Sequence, residues 1–110
     1  MDIEYRARIR KTVVYFSLAD LVSTKPRFSI RELVWPWLRA GNKPDVYINI
    51  NDKNNNKIFT GDRVMFELVN SEDRNMYTDI VFYRQSRAQF SIGMYSLSEV
   101  YWSNLRIVEE

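Results

Sequence analysis

Hydrophobic and polar positions alternate with a period of two along most of the chain. Between Asp2 and Arg10, Ile3, Tyr5, Ala7 and Ile9 fall on one side and Glu4, Arg6, Arg8 and Arg10 on the other. That is the pattern of a strand with one buried face. Thr12–Phe16 continues as a short apolar strand. Val46, Ile48 and Ile50 alternate with Tyr47 and Asn49, and Val64, Phe66 and Leu68 with Arg63, Met65 and Glu67, which predicts two more strands. After a polar loop at Asn70–Asn75, Met76–Tyr83 alternates with both faces partly apolar, as an inner or covered strand does. Arg84–Arg87 reads as a turn, Ala88–Tyr95 as one further strand, and Asn104–Val108 as a closing segment.

Two stretches leave the period of two. Ser17-Leu18-Ala19-Asp20 has the form of a helix start with an acid three residues on, and Leu18, Leu21 and Val22 would line the apolar side of one or two turns. Ser23-Thr24-Lys25-Pro26 would end it. Ile30, Leu33, Val34, Trp37 and Leu38 then recur at i, i+3, i+4, i+7 and i+8, a full helical stripe, with Ser29 and Glu32 spaced as a capping box and Gly41 as terminator. Pro36 removes a helix hydrogen bond and crowds the carbonyl of Glu32, which predicts a kinked helix or two short ones meeting near Trp35. Trp35 lies off the stripe. It is a candidate partner-binding anchor, because interface hot spots are enriched in Trp, or else it packs beneath the following loop. Ser96-Leu97-Ser98-Glu99 could begin a further helical turn.

The strands are joined through an unusual centre. Asp52, Asn54 and Asn56 fall in a polar run whose short side chains bond their own backbone and tolerate positive φ, so the chain reverses there. Only Lys57-Ile58-Phe59-Thr60 separates that turn from Gly61-Asp62, a second sharp bend in which Asp62 is expected to bond backbone amides. Two reversals around a short apolar pair form the corner of a strongly curved sheet. The expected fold is mainly β: a small curved sheet or partly open β-barrel, with one or two short helices inserted near residues 17–40. Asp52, Asn54 and Asn56 also match the first ligand positions of an EF-hand. That loop needs Gly at its sixth position and Glu at its twelfth, where this chain has Lys57 and Arg63, so no metal site is expected.

Composition narrows the chemistry. A chain of 110 residues is expected to be one domain, able to bury roughly two-thirds of its unfolded surface. With no Cys and no His it has no disulfides, no thiol or imidazole catalysis and few routes to zinc. Gly-rich phosphate loops and nucleophile elbows are also missing, and sequence gives no spacing evidence that Asp62 and Asp79 act as a carboxylate pair. No enzymatic activity and no cofactor are expected. The acidic start Met1-Asp2-Ile3-Glu4 is unlike a secretory leader, and no apolar run approaches the ~18 residues of a membrane span. A cytoplasmic protein without membrane contact is the expectation.

The formal charge of +2 is unevenly spread: residues 1–43 carry nine Lys/Arg against four Asp/Glu, and residues 44–110 carry seven against ten. The readings are a solvated basic strand with an acidic end, a basic face for nucleic acid, or head-to-tail charge pairing between copies. Arg6, Arg8 and Arg10 at alternate positions, with Lys11, form a candidate nucleic-acid stripe whose ~7 Å steps approach the spacing of phosphates on a single strand. The plainer reading is an ordinary wet face, with Arg blunting an edge strand.

The segment from Asp52 to Val64 (DKNNNKIFTGDRV) resembles the "DKNGKEI-aromatic-x-GD-x-V" signature of the YopX family of bacteriophage and prophage proteins. Ile3-Glu4-Tyr5-Arg6-Ala7 is similar to that family's opening "IKFRA", and Tyr95–Val100 is similar to its late strand. The three pieces occur in the family's order. Asn55 stands where the family usually has Gly, and the chain stops at Glu110 where members often continue. The resemblance implies a single YopX-like domain over residues 1–110, a phage-derived, β-rich and oligomeric accessory protein of a bacterial host, of a family without a settled biochemical activity. The function expected is therefore non-enzymatic, through contacts with itself or with a host or phage protein. The alternative is a nucleic-acid-binding module using the arginine stripe.

Overall fold

The structure, a computed structural model, describes residues 3–22, 30–69 and 75–108. Among these it is mainly β: nine strands in two sheets, one of them curled into a half-barrel, with two short α-helices between the second and third strands. The chain divides into two compact units, residues 1–47 and 48–110.

In the first unit, β1 (Tyr5–Ile9) and β2 (Thr12–Phe16) form a hairpin in register from Tyr5↔Phe16 to Ile9↔Thr12. Its two-residue turn, Arg10-Lys11, holds Arg10 at φ +58. β1 also pairs with the start of β3 (Asp45–Asn51), Tyr5 opposite Val46 and Arg6 opposite Asp45. Cross-strand partners share a face. Tyr5, Ala7, Ile9, Val14 and Phe16 therefore make one apolar surface, with the Tyr5 and Phe16 rings stacked at 5.4 Å. Leu21 of α1 (Leu18–Val22) and Ile30, Val34, Trp37 and Leu38 of α2 (Ile30–Arg39) close over it.

The helices follow the sequence with two corrections. In α1 the amide of Ser17 donates to Asp20 Oδ2 at 2.8 Å, the expected cap. However, only Leu21 is buried, while Leu18 is 61% and Val22 73% exposed, since a helix of five residues presents a single narrow contact. Of the two outcomes expected at Pro36, α2 is the single helix and not the two short ones, held by its packed stripe at the loss of one hydrogen bond. Leu33, at the margin of that stripe, is exposed. Gly41 ends the helix as read: at φ +93, its amide bonds Leu38 O at 3.0 Å. The Ser29 cap, the Ser23–Pro26 terminator and most of the Asn70–Asn75 loop lie outside the described residues.

The second unit takes the end of β3 into the central turn. β3 runs on through Asn49 at φ +65, a conformation Asn tolerates, and Ile48 and Ile50 both reach the core. β4 (Lys57–Phe59) belongs to the same sheet as β3, and β5 (Arg63–Glu67) to the other, so the chain changes sheets at Gly61-Asp62. This is the corner the sequence announced. β5 lies between β6 (Met76–Arg84) and β9 (Arg106–Ile107), in the order β8-β7-β6-β5-β9. Val64 and Phe66 are buried with Ile48, Ile58, Val81, Ile92, Val100 and Leu105. β6 lies between β7 and β5, but of its residues only Val81 is buried, so its two partly apolar faces are not both covered as expected.

The single strand expected at Ala88–Tyr95 is instead a hairpin. β7 (Gln89–Ile92) and β8 (Tyr95–Ser96) meet at a Gly93-Met94 turn, with Gly93 at φ +57. A methyl group on Gly93 would also run into Asp79, lying 2.6 Å from its carboxyl carbon. Gly93→Ala is expected to cost about 2 kcal/mol, about half from the positive φ and half from the overlap. In an Asp79→Ala background the cost should fall toward roughly 1 kcal/mol in urea unfolding, because the carboxyl group that makes the severe overlap is removed while its Cβ, 3.1 Å away, stays.

Candidate functional site

The outer face of the β1–β2 hairpin carries the arginine row, and the structure divides it. Alternation sends Arg6, Arg8, Val13 and Tyr15 to the face opposite the helices, with Arg6 beside Tyr15 and Arg8 beside Val13. Arg6 is nonetheless only 8% exposed. Its Nε and Nη2 donate to Asp45 Oδ2 at 3.0 and 2.8 Å, because the β1–β3 register sets the two residues side by side. Such a charge-assisted pair positions strands and withdraws Arg6 from any phosphate. Arg8 stays in solvent, its Nε 3.8 Å from the same oxygen, and Arg10 and Lys11 stand exposed at the hairpin turn. The row of three arginines is thus a cluster of Arg8, Arg10 and Lys11. Nor is β1 an edge strand that arginine blunts: it lies between β2 and β3.

One of the two edges of this sheet is β2. Its sequence, Thr12-Val13-Val14-Tyr15-Phe16, has no charge, Gly or Pro, and Val13 and Tyr15 are 46% and 52% exposed. Edge strands are ordinarily protected by charges, Pro, bulges or a covering element. The sequence shows the strand and its apolar character, but the strand order that puts it at an edge is a non-local property.

Trp35 is 37% exposed, so the reading that buries it under the following loop does not hold. It also has work within the fold. Its Nε1–H donates to Leu21 O at 3.3 Å, tying α2 to α1, and the Arg39 guanidinium lies 5.7 Å from its ring centre. Its outer part remains open to a partner.

The central turn residues are structural. Asp52 is buried, and its Oδ1 accepts the amides of Asn54 and Asn56 at 2.9 and 2.8 Å. Its Oδ2 accepts the Ile107 amide at 3.3 Å and Asn56 Nδ2 at 3.4 Å. Asn55 supplies the left-handed residue at φ +65 and accepts Asn51 Nδ2 at 2.9 Å. Burial acts to raise the Asp52 pKa. The amides of Asn56, Ile107 and Asn54 and the Asn56 side chain outweigh it, so the net shift is downward. Asp62, also buried, accepts the Phe59 amide at 2.9 Å, the amide bonding expected of it, and Gly61 sits at φ +90. Asp79 is exposed and holds the Ile80 amide at 2.8 Å.

Among the described residues, no group of three or more acids is arranged to hold a metal ion. No helix there is long and apolar enough to cross a membrane. Among the described residues, Ser91 Oγ is the buried side-chain polar atom without a hydrogen-bond partner. A buried hydroxyl in that state costs about 1–3 kcal/mol, so Ser91→Ala is expected to leave stability unchanged or raise it by about 1 kcal/mol in a thermal melt.

Comparison of the chain with protein-family models, with curated proteins and with solved structures gave no match.

Proposed function

We propose that this protein works without catalysis, through protein–protein contacts, and that self-assembly is the first of them. The observation that carries this reading is β2, an edge strand without charge, Gly or Pro on which Val13 and Tyr15 are 46% and 52% exposed. The part-exposed Trp35 adds a second aromatic contact in the same unit. The resemblance of Asp52–Val64 to YopX proteins supports an accessory role for a bacteriophage or prophage in the host cytoplasm, with a host or phage protein as a further partner. Static light scattering over a wide concentration range tests self-assembly. A mass that rises above the 13.2 kDa of one chain is expected, and a constant monomer mass would overturn the reading.

A second reading has its own observation. Arg8, Arg10 and Lys11 are exposed at the tip of a hairpin whose outer face also presents Tyr15, a pairing of cations and aromatic that suits single-stranded nucleic acid. Loss of Arg6 to Asp45 leaves three cations, so the binding would be weak and steeply salt-dependent. Titration of labelled single-stranded and duplex DNA at low salt, against an Arg8→Ala/Arg10→Ala/Lys11→Ala variant, decides it. No binding by the unmodified protein at low salt removes this reading.

A further inference from the structure

We infer that the outer face of the β6–β7 hairpin, Phe82 with Arg84, Arg87 and Gln89, is a binding site for single-stranded nucleic acid. The site lies in the second unit and uses none of the cations at Arg8, Arg10 and Lys11. It is independent of that basic tip and of self-assembly.

The strand register isolates the hairpin as an arm. β5 pairs with β6 only as far as Arg63↔Ile80, with two further main-chain bonds joining Val81 to Gly61 and Asp62. β8 meets β7 only at Ser91 and Ile92. Phe82, Tyr83 and Arg84 thus pair with β7 alone, opposite Ser91, Phe90 and Gln89, and one turn of 3-10 helix (Gln85–Arg87) joins the two strands. Tyr83 and Phe90 continue the face of the buried Val81 and Ile92, their rings edge-on at 5.4 Å. Phe82, Arg84 and Gln89 fall on the other face. Ser91, opposite Phe82, is buried, so the accessible part of that face runs from Phe82 to the tip. Phe82 is 36% exposed, and the Arg84 guanidinium lies 5.5 Å from its ring centre. Arg84 Nη2 also donates to Gly93 O at 3.1 Å, which fixes the guanidinium before any ligand arrives. Holding a flexible side chain in place beforehand reduces the ordering cost of binding.

Charge and shape select the occupant. From Ile80 to Ser98 the chain has two arginines and no Asp or Glu. Arg87 is exposed at the tip and makes no ion pair among the described residues. An aromatic ring and a guanidinium plane give a base flat surfaces to stack on, and the two arginines give cations to the phosphates. Gln89, opposite Arg84, adds a donor and an acceptor on the same face. A duplex keeps its base faces stacked inside, so this surface fits a single strand.

The test is titration of the full chain into a fluorescein-labelled oligothymidine of ~10 nucleotides, and into a hairpin duplex, at low salt. An Arg8→Ala/Arg10→Ala/Lys11→Ala background separates the two basic sites. In that background, single-strand binding should persist and exceed duplex binding. Phe82→Leu, which keeps an apolar side chain and removes the ring, should weaken it about 5-fold or more. Phe82→Tyr should retain it, and Tyr83→Leu, on the opposite face, should change it less than ~2-fold. Arg87→Gln should lower the slope of log affinity against log salt by about 0.7. Circular dichroism establishes that each variant is folded; if Phe82→Leu is not, the salt slope of Arg87→Gln decides. Binding that vanishes in the triple background overturns this site and leaves the basic tip as the nucleic-acid surface. Binding there that ignores both Phe82→Leu and Arg87→Gln overturns it too. So does a Phe82→Leu effect read only in the light-scattering mass, which would mark the arm as a protein contact. No binding by the unmodified chain overturns both nucleic-acid sites and leaves self-assembly standing.

Discussion

Replacing Asp52 with alanine is expected to destabilise the second unit by about 3 kcal/mol or more, a large share of a small domain's stability. The carboxylate gathers the amides of Asn54, Asn56 and Ile107 and the Asn56 side chain, so its removal takes the acceptor from several donors at once, in a turn whose residues 53–57 are themselves exposed. Asp52→Asn keeps one acceptor and loses the charge, and should fall roughly midway, at about 1.5–2 kcal/mol. The pH dependence has a definite sign. The folded-state pKa of Asp52 is lowered from its ordinary 3.8, so the stabilisation is present above that value. It is lost as pH falls through the depressed folded-state pKa. Urea midpoints measured from neutral pH down into acid should show a decline for the native chain. Its slope should be reduced in Asp52→Asn. An Asp52→Ala midpoint equal to that of the native chain would contradict the turn's assigned role.

Phe66→Ala is expected to cost about 3–5 kcal/mol, the range for emptying a buried aromatic site. Phe66 is 1% exposed on the inner face of β5. Its ring lies 5.9 Å from that of Tyr77 and 5.8 Å from that of Tyr95, the latter edge-on. Those two rings are 6.3 Å from each other, so the three form a cluster that joins β5, β6 and β8. Phe66→Leu keeps most of the volume and should cost about 1–1.5 kcal/mol, which separates cavity formation from the loss of ring geometry. Met65→Ala, one residue away on the half-buried side of the same strand, should cost clearly less. Equal losses at Met65 and Phe66 would mean that the inner and outer faces of β5 are misassigned.

The features legible in the sequence were those written in local pattern. The faces of β5, the hairpin strands, the Ser17–Asp20 cap, the Ser96–Glu99 turn and the bend at Gly61-Asp62 all depend on residues a few positions apart. The capping box at Ser96 and Glu99 formed with both of its hydrogen bonds. What the pattern did not contain was pairing. Arg6 alternates like Arg8, yet the β1–β3 register delivers Asp45 to Arg6, 39 residues away, and converts a wet-face cation into a buried one. Placement of β2 at the edge, and so the candidate interface itself, follows from the same register. The split of Ala88–Tyr95 was missed because Gly93-Met94 lacks the Asn or Asp that usually marks a two-residue hairpin turn; only the isolated Gly signalled it. Leu18 and Val22 share the apolar side of α1 with Leu21 yet are exposed, because helical spacing says which residues share a face and not whether anything covers it.

The fastening of the Asp52 turn by the last strand has a bearing on how the polypeptide emerges from the ribosome. Lys53 N–H bonds Leu105 O at 2.8 Å, and Ile107 N–H reaches Asp52 Oδ2 across 55 residues. Loop closure over such a span must precede the contacts that reward it. The hairpin and its two helices can settle while synthesis continues, whereas the later sheet must wait until Leu105 and Ile107 have been made. Protease challenge of arrested nascent chains should find the early hairpin guarded and the Asp52 turn cleavable until Ile107 has left the exit tunnel.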